Sequence, residues 1–372
     1  MKKTNILIAT GIYPPDVGGP ATYSKLLADE FPKRGIDVKV LTFGSVRHLP
    51  KVVRHFVYLF KILKLSERAD IIYAQDPISV GLPALWAARL LRKRFFLRLG
   101  GDYAWEQGVA RFGVKDSLDE FVKNYDKYPF SVRMLKKIQT YVAQHAEKVI
   151  VPSAYLANIV QFWEGKKGKM RIQVVYNAFS SPSIPETKEE LRRKLNLKSI
   201  VILSTGRFVS WKGFDMLIEI MPRLRECIPG ATLLIGGEGP EGSHLETLIQ
   251  KYGVSSYVKL LGGLSKSELA EYIKASDIFA LNTGYEGLSH QLLEVMALRI
   301  PIVTTDVGGN RELIENGISG VLLKHNDKEG FITAIKNAIQ KKDINMIDCA
   351  YKKAQQLTLG RMIGETINVL GV

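Results

Sequence analysis

Glu286 and Glu294 stand eight positions apart in Tyr285-Glu286-Gly287-Leu288-Ser289-His290-Gln291-Leu292-Leu293-Glu294. They bracket a Gly-Leu-Ser turn. The segment before it, Asp277–Leu281, is short, apolar and rich in strand formers, and Leu292–Leu298 after it reads as helix, ending before Ile300-Pro301. The turn therefore lies at a helix start, where the amides of Gly287, Leu288 and Ser289 favour an anion. Carboxylates beside a phosphate would repel it, so their natural partners are hydroxyl groups on either side. A diphosphate carrying a sugar at each end, a nucleotide sugar, fits that arrangement. The cations it needs lie upstream in Ser204-Thr205-Gly206-Arg207-Phe208-Val209-Ser210-Trp211-Lys212-Gly213. A strand ends at Gly206, and Arg207 and Lys212 fall in the loop that follows. Arginine grips phosphate oxygens with a planar fork, and lysine adds a point charge.

Together these two stretches resemble the donor half of the retaining glycosyltransferases of family 4, which have the GT-B fold, and the resemblance runs over essentially the whole chain. It implies a hexosyl transfer with retention of configuration to a hydroxyl of a glycan or lipid-linked acceptor, in cell-surface polysaccharide or glycolipid synthesis. On that resemblance Glu286 holds hydroxyls of the transferred sugar and Glu294 the ribose. Gly237 lies beside the nucleotide, and the Gly262-Gly263-Leu264 turn offers backbone to the base. Gly18 and Gly19, in the loop after the first strand, reach the distal phosphate and sugar. Asp102, after Gly100-Gly101 at the end of the fourth strand, is the acid–base or positioning candidate, with helix capping as its structural alternative. Tyr103, Trp105 and Glu106 would line the acceptor site. His290 and Gln291 depart from the small or aliphatic residues common at that place, which bears on sugar selectivity.

No cofactor and no metal are expected. The sequence has no Asp-x-Asp and no histidine pair at ligand spacing, and Arg207 and Lys212 supply the charge a divalent ion would otherwise supply. Gly237-Glu238-Gly239-Pro240-Glu241-Gly242 matches G-x-G-x-x-G between a strand and a helix. Three features set a dinucleotide aside: the motif opens the second strand of its half, Pro240 and Glu241 occupy the turn, and no acid ends the next strand. A nucleotide-sugar epimerase, a phosphorylase and a non-catalytic nucleotide-sugar or polyanion binder are the alternatives. An epimerase needs no acceptor, a phosphorylase needs a cofactor-bearing lysine in a longer chain, and a binder turns over nothing.

These residues must be positioned by alternating strands and helices. In the first half, apolar strand candidates are Asn5–Thr10, Asp37–Phe43, Asp70–Ala74, Phe95–Leu99, Lys148–Val151 and Gln173–Tyr176. In the second they are Ile200–Ser204, Thr232–Gly236, Val258–Leu261, Asp277–Leu281, Ile302–Thr304 and Gly320–Leu323. Strands separated by helical stretches predict two parallel, doubly wound Rossmann-like sheets, with ligands outside the strand carboxyl ends. Ala178 to Pro185 reads as a linker. The expected domains are 1–178, acceptor-binding, and 179–356, donor-binding. The resemblance also returns the terminal helix, about 357–372, to the first domain. Residues 107–130 show weak periodicity and read as an insertion.

The 372 residues suit two domains, and 46% hydrophobic with 24% charged residues is ordinary for a globular protein. Cys227 and Cys349 form no pair motif, the N-terminal apolar run is too short for a secretory signal, and no spanning helix is foreseen. A cytoplasmic protein is expected. The net charge of +15 has no zinc finger, basic zipper or RNA-binding signature to go with it, so nucleic acid is not expected. Positive charge concentrates in 47–68, an amphipathic basic helix suited to an anionic membrane surface, or to packing with its lysine stems turned to solvent.

Overall fold

The structure, a computed structural model, describes residues 3–16, 18–164, 170–179 and 184–372. The first sheet contains β1 (Asn5–Thr10), β2 (Asp37–Thr42), β3 (Ile71–Ala74), β4 (Arg94–Arg98), β5 (Lys148–Val151) and β6 (Ile172–Val174), in the order β2-β1-β3-β4-β5-β6. The second contains β7 (Val201–Thr205), β8 (Thr232–Gly236), β9 (Val258–Gly262), β10 (Ile278–Leu281), β11 (Ile302–Thr305) and β12 (Val321–Leu323), in the order β12-β11-β10-β7-β8-β9. Every pairing is parallel. β3, β7, β10 and β11 are buried along their whole length, as continuous apolar runs in two-sided parallel sheets must be.

The chain divides into two compact units, Met1–Asn177 with Gly360–Val372, and Ala178–Leu359. The terminal helix Leu359–Leu370 is bonded into the first unit: the Thr366 and Tyr23 hydroxyls lie 3.1 Å apart, and Lys148 Nζ donates to the Val369 carbonyl at 3.0 Å. The expected linker falls partly on residues 180–183, which lie outside the described residues; Phe179 donates to the Leu357 carbonyl at 3.4 Å.

In the second unit, the helix Phe214–Cys227 shows how these layers form. Phe214, Leu217, Ile218, Met221 and Leu224 recur at helical spacing and are buried against Ile202, Leu233 and Ile278 of the sheet. Each such side chain contributes about 1.5–3 kcal/mol of burial. Pro222 is inside this helix. Residues 107–130, read as an insertion of weak periodicity, contain the end of the helix Tyr103–Phe112 and the helix Leu118–Lys123. Ser117 and Glu120 form a capping box for the latter, and Phe121 and Leu118 are buried. Its periodicity was hard to read because six residues make too few turns to show one.

Both sheets have a point where the strand order reverses. In the first, β1 leads to β2 on one side while β3 lies on the other. In the second, β7 leads to β8 and β9, and β10 then pairs on the opposite side of β7. The loops leaving the strands on either side of that point diverge, and this is the usual ligand position in open α/β sheets.

Candidate active site

The second unit's reversal lies between β7 and β10, and it brings together residues distant in sequence. Lys212 follows β7 and Glu286 follows β10. Lys212 Nζ donates to Glu286 Oε1, and both residues are 8% exposed. The two loops are tied by backbone: the Gly284 amide donates to the Trp211 carbonyl at 2.6 Å, and Asn282 Nδ2 donates to the Gly213 carbonyl at 3.2 Å. Gly213 is left-handed (φ 58°), and a Cβ there would lie 2.0 Å from the Asn282 carbonyl oxygen. Only glycine permits that approach. Arg207 is exposed in the same loop.

The remaining donor-side candidates lie along the neighbouring strand ends. The Gly206 amide donates to the Gly236 carbonyl at 3.0 Å, and the Gly237 amide donates to the Gly262 carbonyl at 2.8 Å. A Cβ on Gly236 would lie 2.9 Å from Leu264 Cδ1, so Leu264 covers the end of β8. Gly237 and Gly239 serve close packing: a Cβ on either would meet the backbone of Gly206 or Phe208 within 2.4 Å. That accounts for the apparent G-x-G-x-x-G.

Ser289 caps the helix His290–Ala297, its hydroxyl accepting from the Leu292 amide at 3.3 Å. Glu294, on that helix, is half-buried. Burial pushes its carboxyl from the ordinary 4.5 up to about 7, with Lys266 pulling weakly the other way. Lys266 begins the helix that follows Leu264.

A support of the glutamate turn escaped the sequence reading. The Gly309 amide donates to the Glu286 carbonyl at 2.9 Å. A Cβ on Gly308 would lie 2.1 Å from the Glu286 carbonyl oxygen, and one on Gly309 2.2 Å from that of Gly287. The loop after β11 thus lies directly against the backbone of residues 286–288. The pair Gly308-Gly309 directly after a strand was the visible signal.

In the first unit, Gly18 precedes the helix Gly19–Glu30 without a side-chain cap, and its φ is 152°. A Cβ on it would meet Ile12 Cδ1 at 2.9 Å. Asp102 requires correction as an acid–base candidate. It is fully buried; Oδ1 accepts from the Trp105 amide at 2.9 Å and from Gln139 Nε2 at 3.1 Å, and Oδ2 accepts from Trp163 Nε1 at 2.9 Å. It is the N-cap of the helix Tyr103–Phe112, and burial raises its pKa. A carboxylate with no exposed surface and both oxygens engaged holds structure. Trp105 is likewise 3% exposed, its indole N–H donating to the Asp116 carbonyl at 2.9 Å, so it does not line an acceptor site. Tyr103 and Glu106 remain half-buried.

The carboxylate at this unit's own reversal is Asp76, after β3. Oδ1 accepts from the amides of Ile78 at 2.9 Å and Ser79 at 2.6 Å. Oδ2 lies 3.0 Å from where a Gly11 Cβ would be, beside the end of β1. Burial pushes Asp76 up to about 6. Gln75 next to it is 4% exposed, with neither side-chain polar atom bonded among the described residues. The Ser79 and Tyr103 hydroxyls are 3.1 Å apart nearby. Among the described residues, no group of three histidine, cysteine or acidic side chains could hold a metal ion.

Residues 187–356 match the family described as Glycosyl transferases group 1, and residues 17–180 match Glycosyltransferase Family 4. A lipopolysaccharide core biosynthesis glycosyltransferase, LpsE, of Rhizobium meliloti (strain 1021) is 34% identical over 139 residues, 37% of this chain and 39% of that protein. A glycogen synthase of Mycobacterium tuberculosis is 27% identical over 207 residues, 56% of this chain and 49% of its own length. The chain thus spans half or less of these relatives in the matched stretches. Among solved structures, Anabaena Alr3699/HepE in complex with UDP and glucose superposes with a TM-score of 0.77 at 19% identity, covering 99% of both chains. Sucrose-phosphate synthase of Thermosynechococcus elongatus gives 0.80 at 17% identity, covering 99% of this chain and 98% of that one.

Proposed function

The chain belongs to the group 1, family 4 glycosyltransferases of GT-B fold, and from that premise we propose that it moves a sugar from a nucleoside diphosphate to an acceptor hydroxyl with retention of configuration. The second unit takes the donor and the first the acceptor. One observation carries the reading: Lys212 and Glu286, a cation and an acid 74 positions apart, meet at the strand-order reversal of the second unit, with Arg207 exposed in the loop that contains Lys212.

In the reaction the bond between the anomeric carbon and the diphosphate oxygen breaks, and a new bond forms from that carbon to the acceptor oxygen. The departing phosphate takes the acceptor's proton. Charge grows on the diphosphate, so fixed donors aimed at it lower the barrier most. Arg207, Lys212 and the amides of Gly287, Leu288 and Ser289 fill that role without a metal. Donor binding gives Lys212 phosphate oxygens in addition to its carboxylate partner. Glu286 reads hydroxyls of the transferred sugar, Glu294 those of the ribose. Gly237 and Leu264 flank the nucleotide. Asp76, rather than Asp102, is the first unit's carboxylate for positioning an acceptor hydroxyl.

A glycan or lipid-linked acceptor agrees with the relatives. One is named for lipopolysaccharide core biosynthesis. Another, a GDP-mannose-dependent phosphatidylinositol monomannoside mannosyltransferase of Mycolicibacterium smegmatis, is 30% identical over 159 residues.

The test is a thermal-shift screen with UDP and GDP, then with their sugar conjugates, followed by product analysis with and without acceptor. Stabilisation by a nucleoside diphosphate and acceptor-dependent release of it are expected. Arg207→Ala should lower kcat by about 10²–10³, the usual loss for one such donor. Full activity of that variant would sink the diphosphate assignment.

A further inference from the structure

The end of β3 holds a side chain that the proposed transfer does not use. Gln75 is buried, and neither its amide oxygen nor its amide nitrogen is bonded among the described residues. Gln139, buried in the same unit, shows what such a side chain ordinarily does: Oε1 accepts from the Ala104 amide at 2.9 Å, and Nε2 donates to Asp102 at 3.1 Å. Buried polar groups are nearly always paired, and one left unpaired costs the fold free energy. Beside a carboxylate suited to positioning a substrate, that exception points to a ligand.

The surroundings of Gln75 belong to the first unit's strand-order reversal. Its backbone amide donates to the Ala9 carbonyl at 2.9 Å, so the ladder between β1 and β3 extends to it, and β4 pairs along the other side of β3. Successive side chains on a strand point to opposite faces. Gln75 and Asp76 therefore reach the two sides of one strand tip, and a sugar ring laid across that tip presents a separate hydroxyl to each. Glycines keep the neighbouring strand ends small. Gly11 follows β1, and a Cβ on Gly100, exposed beyond the end of β4, would meet nothing nearer than Pro20 Cγ at 3.9 Å. The Ser79 and Tyr103 hydroxyls, 3.1 Å apart, add a polar rim on the Asp76 turn.

Charge narrows the ligand. Burial holds Asp76 above the usual carboxylate range, opposed by the backbone amides of Ile78, Val80 and Ser79. Arg47, which donates to the Gly11 carbonyl at 2.9 Å, already has the Asp16 carboxylate 3.5 Å away. A phosphate or carboxylate on the ring would be set against Asp76 as a like charge. Hydroxyls can donate to a carboxylate and also pair with either end of an amide.

Resting on the reading that the first unit takes the acceptor, we propose that Gln75 is a specificity-determining residue: its unpaired amide binds a second hydroxyl of the neutral sugar whose reacting hydroxyl Asp76 positions. The acceptor class is then a glycan with an uncharged terminal ring, and not a sugar phosphate or an acidic sugar. Gln75 gives up no protein partner to make this bond.

The probes are methyl glucoside, methyl galactoside and methyl mannoside, their single-deoxy analogues and the corresponding hexose phosphates. Their affinities are measured by ligand-observed NMR, with and without UDP or GDP, for wild type and for Gln75→Met, which keeps the side chain's length without its polar atoms. Wild type should bind at least one neutral hexoside, and more tightly than the phosphate of that sugar. Gln75→Met should bind the same hexoside about tenfold more weakly, the loss of one neutral hydrogen bond, and melt no lower than wild type, because two unpaired buried atoms are gone. One deoxy analogue should be about tenfold weaker than its parent on wild type and equal to it on Gln75→Met, as for two groups in contact. A wild type that binds no hexoside, tolerates loss of every hydroxyl or prefers the phosphate overturns the inference, and so does a Gln75→Met that binds as wild type does. A Gln75→Met that melts several degrees lower also overturns it, since the amide would then serve the fold through an internal water. Thermal shift reports the underlying reading separately: a wild type that binds neither nucleotide fails that reading, whereas nucleotide binding with hexoside affinity unchanged in Gln75→Met fails this inference alone.

Discussion

Removing Lys212 should destabilise the protein more than any surface lysine does, and the pair with Glu286 says why. Both residues are 8% exposed, and the lysine donates directly to the carboxylate. Taking away one partner of a buried pair leaves a charge without compensation and typically costs about 3–5 kcal/mol. That is a large share of the about 5–15 kcal/mol that holds a domain folded. Replacing both partners by apolar residues of similar size, Lys212→Met with Glu286→Leu, removes the stranded charge and should recover most of the loss. A coupling energy of about 5 kcal/mol or more is therefore expected from urea unfolding of the two single variants, the double variant and the wild type. An exposed pair would couple by no more than about 1 kcal/mol. Saturating nucleoside diphosphate adds a second reading: it should stabilise the wild type by about 2.7 kcal/mol at a hundredfold excess over Kd, and shift Lys212→Met much less. If both single variants unfold within about 1 kcal/mol of wild type, the pair is solvent-screened. The argument for a desolvated, pre-placed phosphate ligand would then be wrong.

Glu294 should give stability a pH dependence. Its folded pKa of about 7 lies above the ordinary 4.5, so the folded state holds the extra proton between those values. Its contribution is complete below pH 4.5 and is lost as the pH rises through about 7, a change on the order of 3 kcal/mol. Glu294→Gln should flatten that slope in melts taken across the window, and nucleotide affinity of the wild type should weaken as pH falls below 7, where the carboxylate that accepts ribose hydroxyls becomes protonated. Asp102→Ala should lose about 3 kcal/mol or more, because the Trp105 amide, Gln139 and Trp163 are left without their acceptor. Asp102→Asn should stay folded and transfer sugar within a few-fold of wild type, whereas a hundredfold fall in kcat would restore it as a catalytic group. Gly309→Ala, whose Cβ would press on the Gly287 carbonyl, should cost about 1–3 kcal/mol and weaken nucleotide binding at least tenfold by isothermal titration.

The alternation of buried strands and helices was legible because each strand is a short apolar run bounded by glycine, proline or charge. All twelve expected strands occur, shifted at most by a residue or two at their ends. The Glu286-Gly287-Leu288-Ser289 turn, the cations Arg207 and Lys212, and the family they suggest were legible for a related reason. Ligand-binding turns are local, and their residue types carry their chemistry. What tertiary structure alone decided are the neighbours. Strand order is a permutation that no local pattern records. It places β10 beside β7 and so joins Lys212 to Glu286; it also brings Gly11 to Asp76, which the linear reading passed over. Burial is the other decision. Asp102 is an acid at a strand's carboxyl end in sequence, but Trp163 and Gln139 close over it in space.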